Sequence, residues 1–294
     1  MKHKAKITAI LLVMFIVTQF IGLYIVGHYS PIKVSHGEVQ HLEAPKLPYG
    51  LETPEISENK DFMEIFISFI VSFIFAIAII LLLTKFKTKF ILKAWFFTVV
   101  IIAISISLNA ILPSLEYTSL IALAIAIPLS YIKIYKKSFL VHNGTELLIY
   151  PGIAAVFVPL LNLFTVVALL ILISIYDMWA VWHSGIMQKM AKYQIDSLGI
   201  FSGFFVPYLD KKTRMKIKKI PKSKRKGKKV KVNMAILGGG DVVFPIIAAG
   251  VILKTFGLLP ALFVTLGATL GLTYLFTFGE KKKFNGELGF SVRL

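Results

Sequence analysis

Two aspartates stand inside otherwise apolar segments of this chain. Asp177 lies in Leu160–Val181, in the run Ile-Tyr-Asp-Met, and Asp241 lies in Val232–Leu253, directly after Gly238-Gly239-Gly240. An ionisable side chain at the centre of a membrane helix costs about 2.5–3.5 kcal/mol on insertion scales, so it is a functional hypothesis whose partner has to be named. Each aspartate is the obvious partner of the other. Two carboxylates held close together cannot both ionise cheaply, so one stays charged while the other keeps its proton. The charged member can take a proton from water as that water attacks a peptide carbonyl. The protonated member can hydrogen-bond the carbonyl and then help protonate the leaving nitrogen. The proton belongs to the pair, not to a named member. Water is the nucleophile in this chemistry, so neither metal nor organic cofactor is expected.

The flanking residues suit such a site. Gly238, Gly239 and Gly240 each weaken a helix by about 1 kcal/mol relative to alanine and let another backbone come close. Pro245, four residues after Asp241, removes an N–H and crowds the Asp241 carbonyl. The expectation is a locally loosened helix around the acid, against which an extended substrate could pair. Close helix packing is the plainer reason for small residues at such positions. Tyr176, beside Asp177, could hydrogen-bond within the site or cover the substrate. It could equally be an interfacial aromatic.

Composition sets the stage for these residues. Of the 294 residues 56% are apolar, and the mean hydropathy is +0.77, too high for a water-soluble domain. Runs near 20 residues with almost no charge are long enough to cross ~30 Å of hydrocarbon as helices. Such continuous runs argue against a barrel, whose strands alternate. The fold class is therefore all-α, a polytopic transmembrane helical bundle forming one membrane domain over 1–294. Eight spans are expected, at 7–27, 62–84, 94–113, 117–135, 144–160, 163–183, 233–253 and 258–278. Within that domain, 1–183 holds six helices and the first aspartate, 184–231 is a basic loop, and 232–294 holds the last helices and the second aspartate. The chain has no cysteine, which excludes disulfides, thiolate catalysis and cysteine-based metal sites. The apolar run Ile7–Val26 is longer than a signal-peptide core and has no evident cleavage site, so it reads as a retained first helix.

The net charge of +18 follows the topology rather than a nucleic-acid surface. His28–Asp61 is acidic and proline-rich, while Pro113–Glu116 and Pro159–Asn162 carry no Lys or Arg. The alternate junctions are basic: Lys85, Lys87, Lys89 and Lys93; Lys133, Lys136 and Lys137; the 184–231 segment; and Lys281 to Lys283. This places the N-terminus and the 184–231 loop in the cytoplasm. In that loop Met187, Met190, Ile195 and Leu198 could line a short surface helix. Lys211–Lys231 reads as a flexible anchor for anionic lipid. The sixth span then runs inward and the seventh outward. At 1.5 Å per residue both aspartates would sit ~9–12 Å inside the cytoplasmic boundary, at one depth on adjacent antiparallel helices.

With these residues in view, Tyr176-Asp177 and Gly238-Gly239-Gly240-Asp241 resemble the YD and GxGD motifs of the presenilin and signal peptide peptidase proteases. The run Ile-Ser-Ile-Tyr-Asp-Met-Trp-Ala-Val (173–181) is similar to the presenilin pattern around its first aspartate. The large loop between the aspartates and the acidic loop after the first helix also fit, and the chain's length resembles the microbial, single-subunit members. The resemblance implies nine helices, a water-accessible cavity, Asp177 and Asp241 as catalytic residues, and transmembrane proteins or peptides as substrates. Membrane lipids are the other expected partners, and an oligomer is compatible with it. The family also has a Pro-Ala-Leu motif at the cytoplasmic start of its ninth helix. Pro260-Ala261-Leu262 matches that tripeptide, but loop parity puts it at the outer start of the eighth span.

Two alternatives use the same aspartates. One is a prepilin-peptidase-like GxGD protease, and the other is a proton- or cation-coupled transporter in which the carboxylates relay charge. The remaining polar residues are read plainly. His28, His36 and His41 lack metal-ligand spacing, His183 is an interfacial anchor, and Glu146 and Asn162 lie near span ends with no special role. Asn143-Gly144-Thr145 fits a glycosylation pattern but falls on the cytoplasmic side. Trp95, Trp179 and Trp182 suit interface belts.

Overall fold

The computed structural model describes residues 5–30, 32–35, 38–41, 43, 45–51, 59–85, 88–136, 138–179, 199–208, 229–278 and 289–293. Its helices are α1 (Ala5–Tyr29), α2 (Asn59–Lys85), α3 (Lys89–Ile111), α4 (Thr118–Tyr131), α5 (Phe139–Phe157), α6 (Leu163–Trp179), α7 (Gly239–Phe256) and α8 (Leu258–Phe278). Among the described residues, α1, α3, α4 with its following turn, α5, α7 and α8 are long and apolar enough to cross a membrane. The chain is thus a polytopic helical membrane bundle. Side chains such as Phe75, Phe90, Phe164 and Phe263 are exposed on the helix surfaces, where hydrocarbon rather than water is the natural solvent.

The bundle is organised around α1, which packs against α5, α7 and α8. Leu11, Phe15 and Val26 of α1 join Ile104, Ala154, Val242 and Ile246 in the main core. Close helix contact needs small residues at the crossings. Gly22 of α1 lies under Ile246, and Gly152 of α5 lies against the Ala103 carbonyl of α3. Gly257, at φ 94°, turns α7 directly into α8, and the two helices then pack along each other as an antiparallel hairpin.

The largest departure from an all-helical reading is a small sheet. Strands β1 (Ile32–Ser35) and β2 (Glu38–His41) form a hairpin in the first loop. Strands β3 (Gly203–Tyr208), β4 (Lys229–Gly238) and β5 (Gly289–Arg293) form a second, antiparallel sheet in the order β3-β4-β5. The register pairs Gly203 with Gly238 and Val232 with Phe290. Residues 233–238, expected inside the seventh span, are therefore strand. Ala235 and Leu237 alternate into the core, so a run that is apolar in composition is consumed with a period of two instead of 3.6. Parts of the expected 184–231 loop, 203–208 and 229–231, are likewise strand. The surface helix expected from Met187, Met190, Ile195 and Leu198, His183, Trp182, most of the Lys211–Lys231 run, and Lys281 to Lys283 lie outside the described residues.

Candidate active site

Asp241 sits where β4 becomes α7. Gly238 closes the strand with extended backbone (φ −63°, ψ 148°) and serves as the N-cap, so Asp241 is the third residue of the helix. Its carboxylate reaches back to accept from the Gly238 N–H. This is the return half of a capping box, in which an acid at the third helical position satisfies a free donor. A negative charge in the first turn also complements the helix dipole. The acid is therefore placed by a strand-to-helix switch at Gly238, where a loosened helix interior was expected. Pro245 falls inside α7, which continues to Phe256.

Asp177 lies in the last described turn of α6, and α6 packs against α7. One helix ends and the next begins at the same end of the bundle, so the two acids share a level. Asp177 lies within electrostatic range of Asp241. Asp177 is half-buried and Asp241 exposed. Asn162 starts α6, its Oδ1 accepting from the Thr165 N–H at 2.9 Å while the Thr165 hydroxyl meets the Asn162 N–H at 2.9 Å. The expectation that Asn162 has no special role is thus corrected, because it caps the helix that carries Asp177.

The other sequence-selected residues fall differently. Tyr176 is at the exposed edge of α6. Gly238 lies beside the Asp241 carboxylate, whose Oδ2 would be 3.3 Å from a Cβ at that position, and Gly240 has only ordinary contact with Phe244. Gly239 is approached by a side chain rather than a backbone. A Cβ there would lie 2.8 Å from Tyr150 Oη and 3.0 Å from Ser202 Oγ. Pro260, Ala261 and Leu262 occupy the first turn and a half of α8, beyond the far end of α7 from Asp241. At 1.5 Å per residue the length of α7 separates them from that acid by ~20 Å or more.

The structure adds residues that the sequence reading passed over. In antiparallel pairing alternate residues aim their N–H and C=O groups at one edge. On β3, Gly203 and Phe205 aim theirs at α5. Asn143 Oδ1 accepts from the Phe205 N–H at 3.1 Å, and its Nδ2 donates to the Phe205 carbonyl at 3.0 Å. Glu146 Oε1 accepts from the Gly203 N–H at 3.3 Å, and His142 Nε2 lies 2.9 Å from the Gly203 carbonyl. Lys133, in the π turn after α4, donates to Glu146 Oε1 at 2.6 Å and meets His142 Nδ1 at 3.3 Å. An ammonium has no acceptor, so Nδ1 accepts and the His142 proton resides on Nε2, aimed at the Gly203 carbonyl. Three side chains of one helix face thereby close a strand edge that would otherwise stay open.

Lys133 is 4% exposed and Glu146 0%, so the reading of Lys133 as a loop charge and of Glu146 as a span-end residue is corrected. Asn143 is buried, committed to β3. One signal could have exposed this cluster: His142, Asn143 and Glu146 share a helical face in a span read as starting only at residue 144. From α1, Gln19 Nε2 donates to the Val242 carbonyl at 3.1 Å, bracing the first turn of α7 from the other side.

Comparisons with known proteins bear on the family and the fold. A sequence profile of the family described as signal-peptide peptidase, presenilin aspartyl protease matches residues 44–290. No curated protein matches the chain by sequence. A solved presenilin family intramembrane aspartate protease superposes with a TM-score of 0.56 at 17% identity, covering 94% of this chain and 90% of that one. At that identity the likeness is one of fold.

Proposed function

The chain belongs to the signal-peptide peptidase, presenilin aspartyl protease family, and from that premise we propose that it hydrolyses peptide bonds of transmembrane substrates with Asp177 and Asp241 as its catalytic pair. The observation that carries this reading is the placement of the two acids on adjoining helices, at one end of the bundle and in electrostatic range of each other. One carboxylate draws a proton from water while the water oxygen attacks the scissile carbonyl. The partner carboxyl donates a hydrogen bond to the developing oxyanion and returns its proton to the departing nitrogen. The exposed Asp241 gives water and substrate a route of approach.

In this proposal the acidic pair faces the cytoplasmic side, with the N-terminus and the basic 184–231 segment, as the distribution of lysines supports. Gly238 to Gly240 keep side chains away from the acid, and Tyr176 lines the approach to Asp177. Pro260, Ala261 and Leu262 begin α8 at the far end, where they serve the α7–α8 hairpin.

The test is incubation of detergent-purified protein with tagged transmembrane peptides, with products read by mass spectrometry. Cleavage within the apolar stretch, lost in both Asp177→Ala and Asp241→Ala while each variant keeps its helical circular dichroism, is the expected result. Undiminished cleavage by either variant would end the proposal.

A further inference from the structure

The buried cluster on α5 is more elaborate than packing requires. Replacing a buried ion pair by apolar residues of similar size is often neutral or stabilising, so stability alone gives no reason for Lys133 and Glu146 to be there. Glu146 Oε1 receives Lys133 and the Gly203 N–H and lies 3.3 Å from His142 Nε2, while the Tyr150 hydroxyl, one turn on, interacts with Glu146 and Ser202.

What the cluster touches is the segment that carries Asp241. Gly238-Gly239-Gly240 has the weakest intrinsic backbone preference in the chain, because glycine loses the most freedom on folding. Left to itself it would not fix a carboxylate. Gly203, whose N–H and carbonyl are held by Glu146 and His142, is the register partner of Gly238. One helical turn beyond Glu146, the fully buried Tyr150 ring packs edge-on against Phe204 and lies against Gly239. Of two consecutive glycines, three and two residues before the acid, Gly238 thus faces a strand residue held by α5 and Gly239 meets α5 directly.

We propose that Glu146, held by Lys133, is a positioning residue for Asp241: the ion pair fixes Gly203, Gly203 fixes Gly238, and Gly238 sets where the first turn of α7 delivers the carboxylate. Its consequence for cleavage rests on the protease reading above. Its consequence for the backbone does not.

The test uses the full chain in detergent, comparing wild type with Lys133→Met/Glu146→Leu, which removes both charges together and strands neither. Amide exchange is read by mass spectrometry over 234–241 and over α3, and steady-state cleavage of a transmembrane peptide is measured beside it. Exchange over 234–241 is expected to rise about tenfold or more while α3 keeps its protection. The kcat is expected to fall roughly 100-fold with KM within about threefold, since misplacing a catalytic group costs rate rather than binding. Unchanged exchange over 234–241 overturns the proposal whether or not the protein cleaves anything. Faster exchange with unchanged kcat overturns it as well. Should α3 also lose protection, Glu146→Gln, which keeps the side-chain shape, is judged by the same two criteria. A wild-type protein that cleaves no peptide, with exchange responding as expected, removes the protease reading and leaves the positioning role standing.

Discussion

Tyr150 of α5 lies directly against Gly239 of α7, close enough that a Cβ on the glycine would meet the phenol oxygen at 2.8 Å and ring Cε1 at 2.9 Å. The ring is 2% exposed and walled in by Phe204, so it cannot swing aside. Residue 239 is therefore glycine for a steric reason supplied by a helix almost 90 positions earlier in the chain.

Gly239→Ala is expected to destabilise the protein by about 1–3 kcal/mol through overpacking. Gly240→Ala meets nothing closer than Phe244 Cε2 at 3.5 Å and is expected to be neutral or slightly stabilising, because alanine is the better helix former. Thermal melts of the two variants in one detergent separate the cases.

On α5 a similar contrast holds. A Cβ at Gly152 would run into the Ala103 carbonyl of α3, whereas nothing lies within 4 Å of one at Gly144. Gly152→Ala should force α3 and α5 apart and lower the melting temperature. Gly144→Ala should raise stability by about 0.4–1 kcal/mol by restricting the unfolded chain.

Breaking the buried pair one side at a time should cost more than removing it whole. Glu146→Leu or Lys133→Met alone leaves an uncompensated buried charge, at about 3–5 kcal/mol, while the double variant should recover most of that loss and retain a cost of about 1–3 kcal/mol for the Gly203 N–H that loses its acceptor. A double-mutant cycle by denaturant unfolding measures the coupling, and additive losses would show that the charges do not meet.

Lys254 makes a control at the other end of α7. Its Nζ donates to the Val158 and Pro159 carbonyls at 2.9 and 3.3 Å and lies 5.3 Å from the Phe62 ring centroid. Lys254→Met should cost about 1.5–3 kcal/mol, the range for hydrogen bonds to a charged group. Its kcat on a transmembrane peptide should stay at the wild-type value, because Asp241 is ~20 Å away along the helix.

The helical elements and the two acids were legible in the chain because their signals are local. An apolar run of 20 residues has one low-energy form in hydrocarbon, and an aspartate inside such a run stands out by contrast alone. The strand at 233–238 was not legible, because Asn-Met-Ala-Ile-Leu-Gly is apolar enough to extend a helix. Only pairing with residues 203–208 makes it a strand. Lys133 and Glu146 were misread for a related reason: a lysine or glutamate near a span end usually faces water, and burial depends on which partner packs there.

The sequence by itself determined that the chain crosses a membrane several times, that Asp177 and Asp241 are its conspicuous acids, and which protease family they resemble. These follow from composition and short motifs, and hydrophobic length acts residue by residue. Only the tertiary structure decided that Asp241 begins a helix at the end of a strand, that Lys133, His142, Asn143 and Glu146 hold the β3 strand paired with that one, and that Tyr150 lies against Gly239. Those relationships join positions from 133 to 241, and contacts that distant come into being only when the packing of α5 against β3 and α7 removes both sides from solvent together.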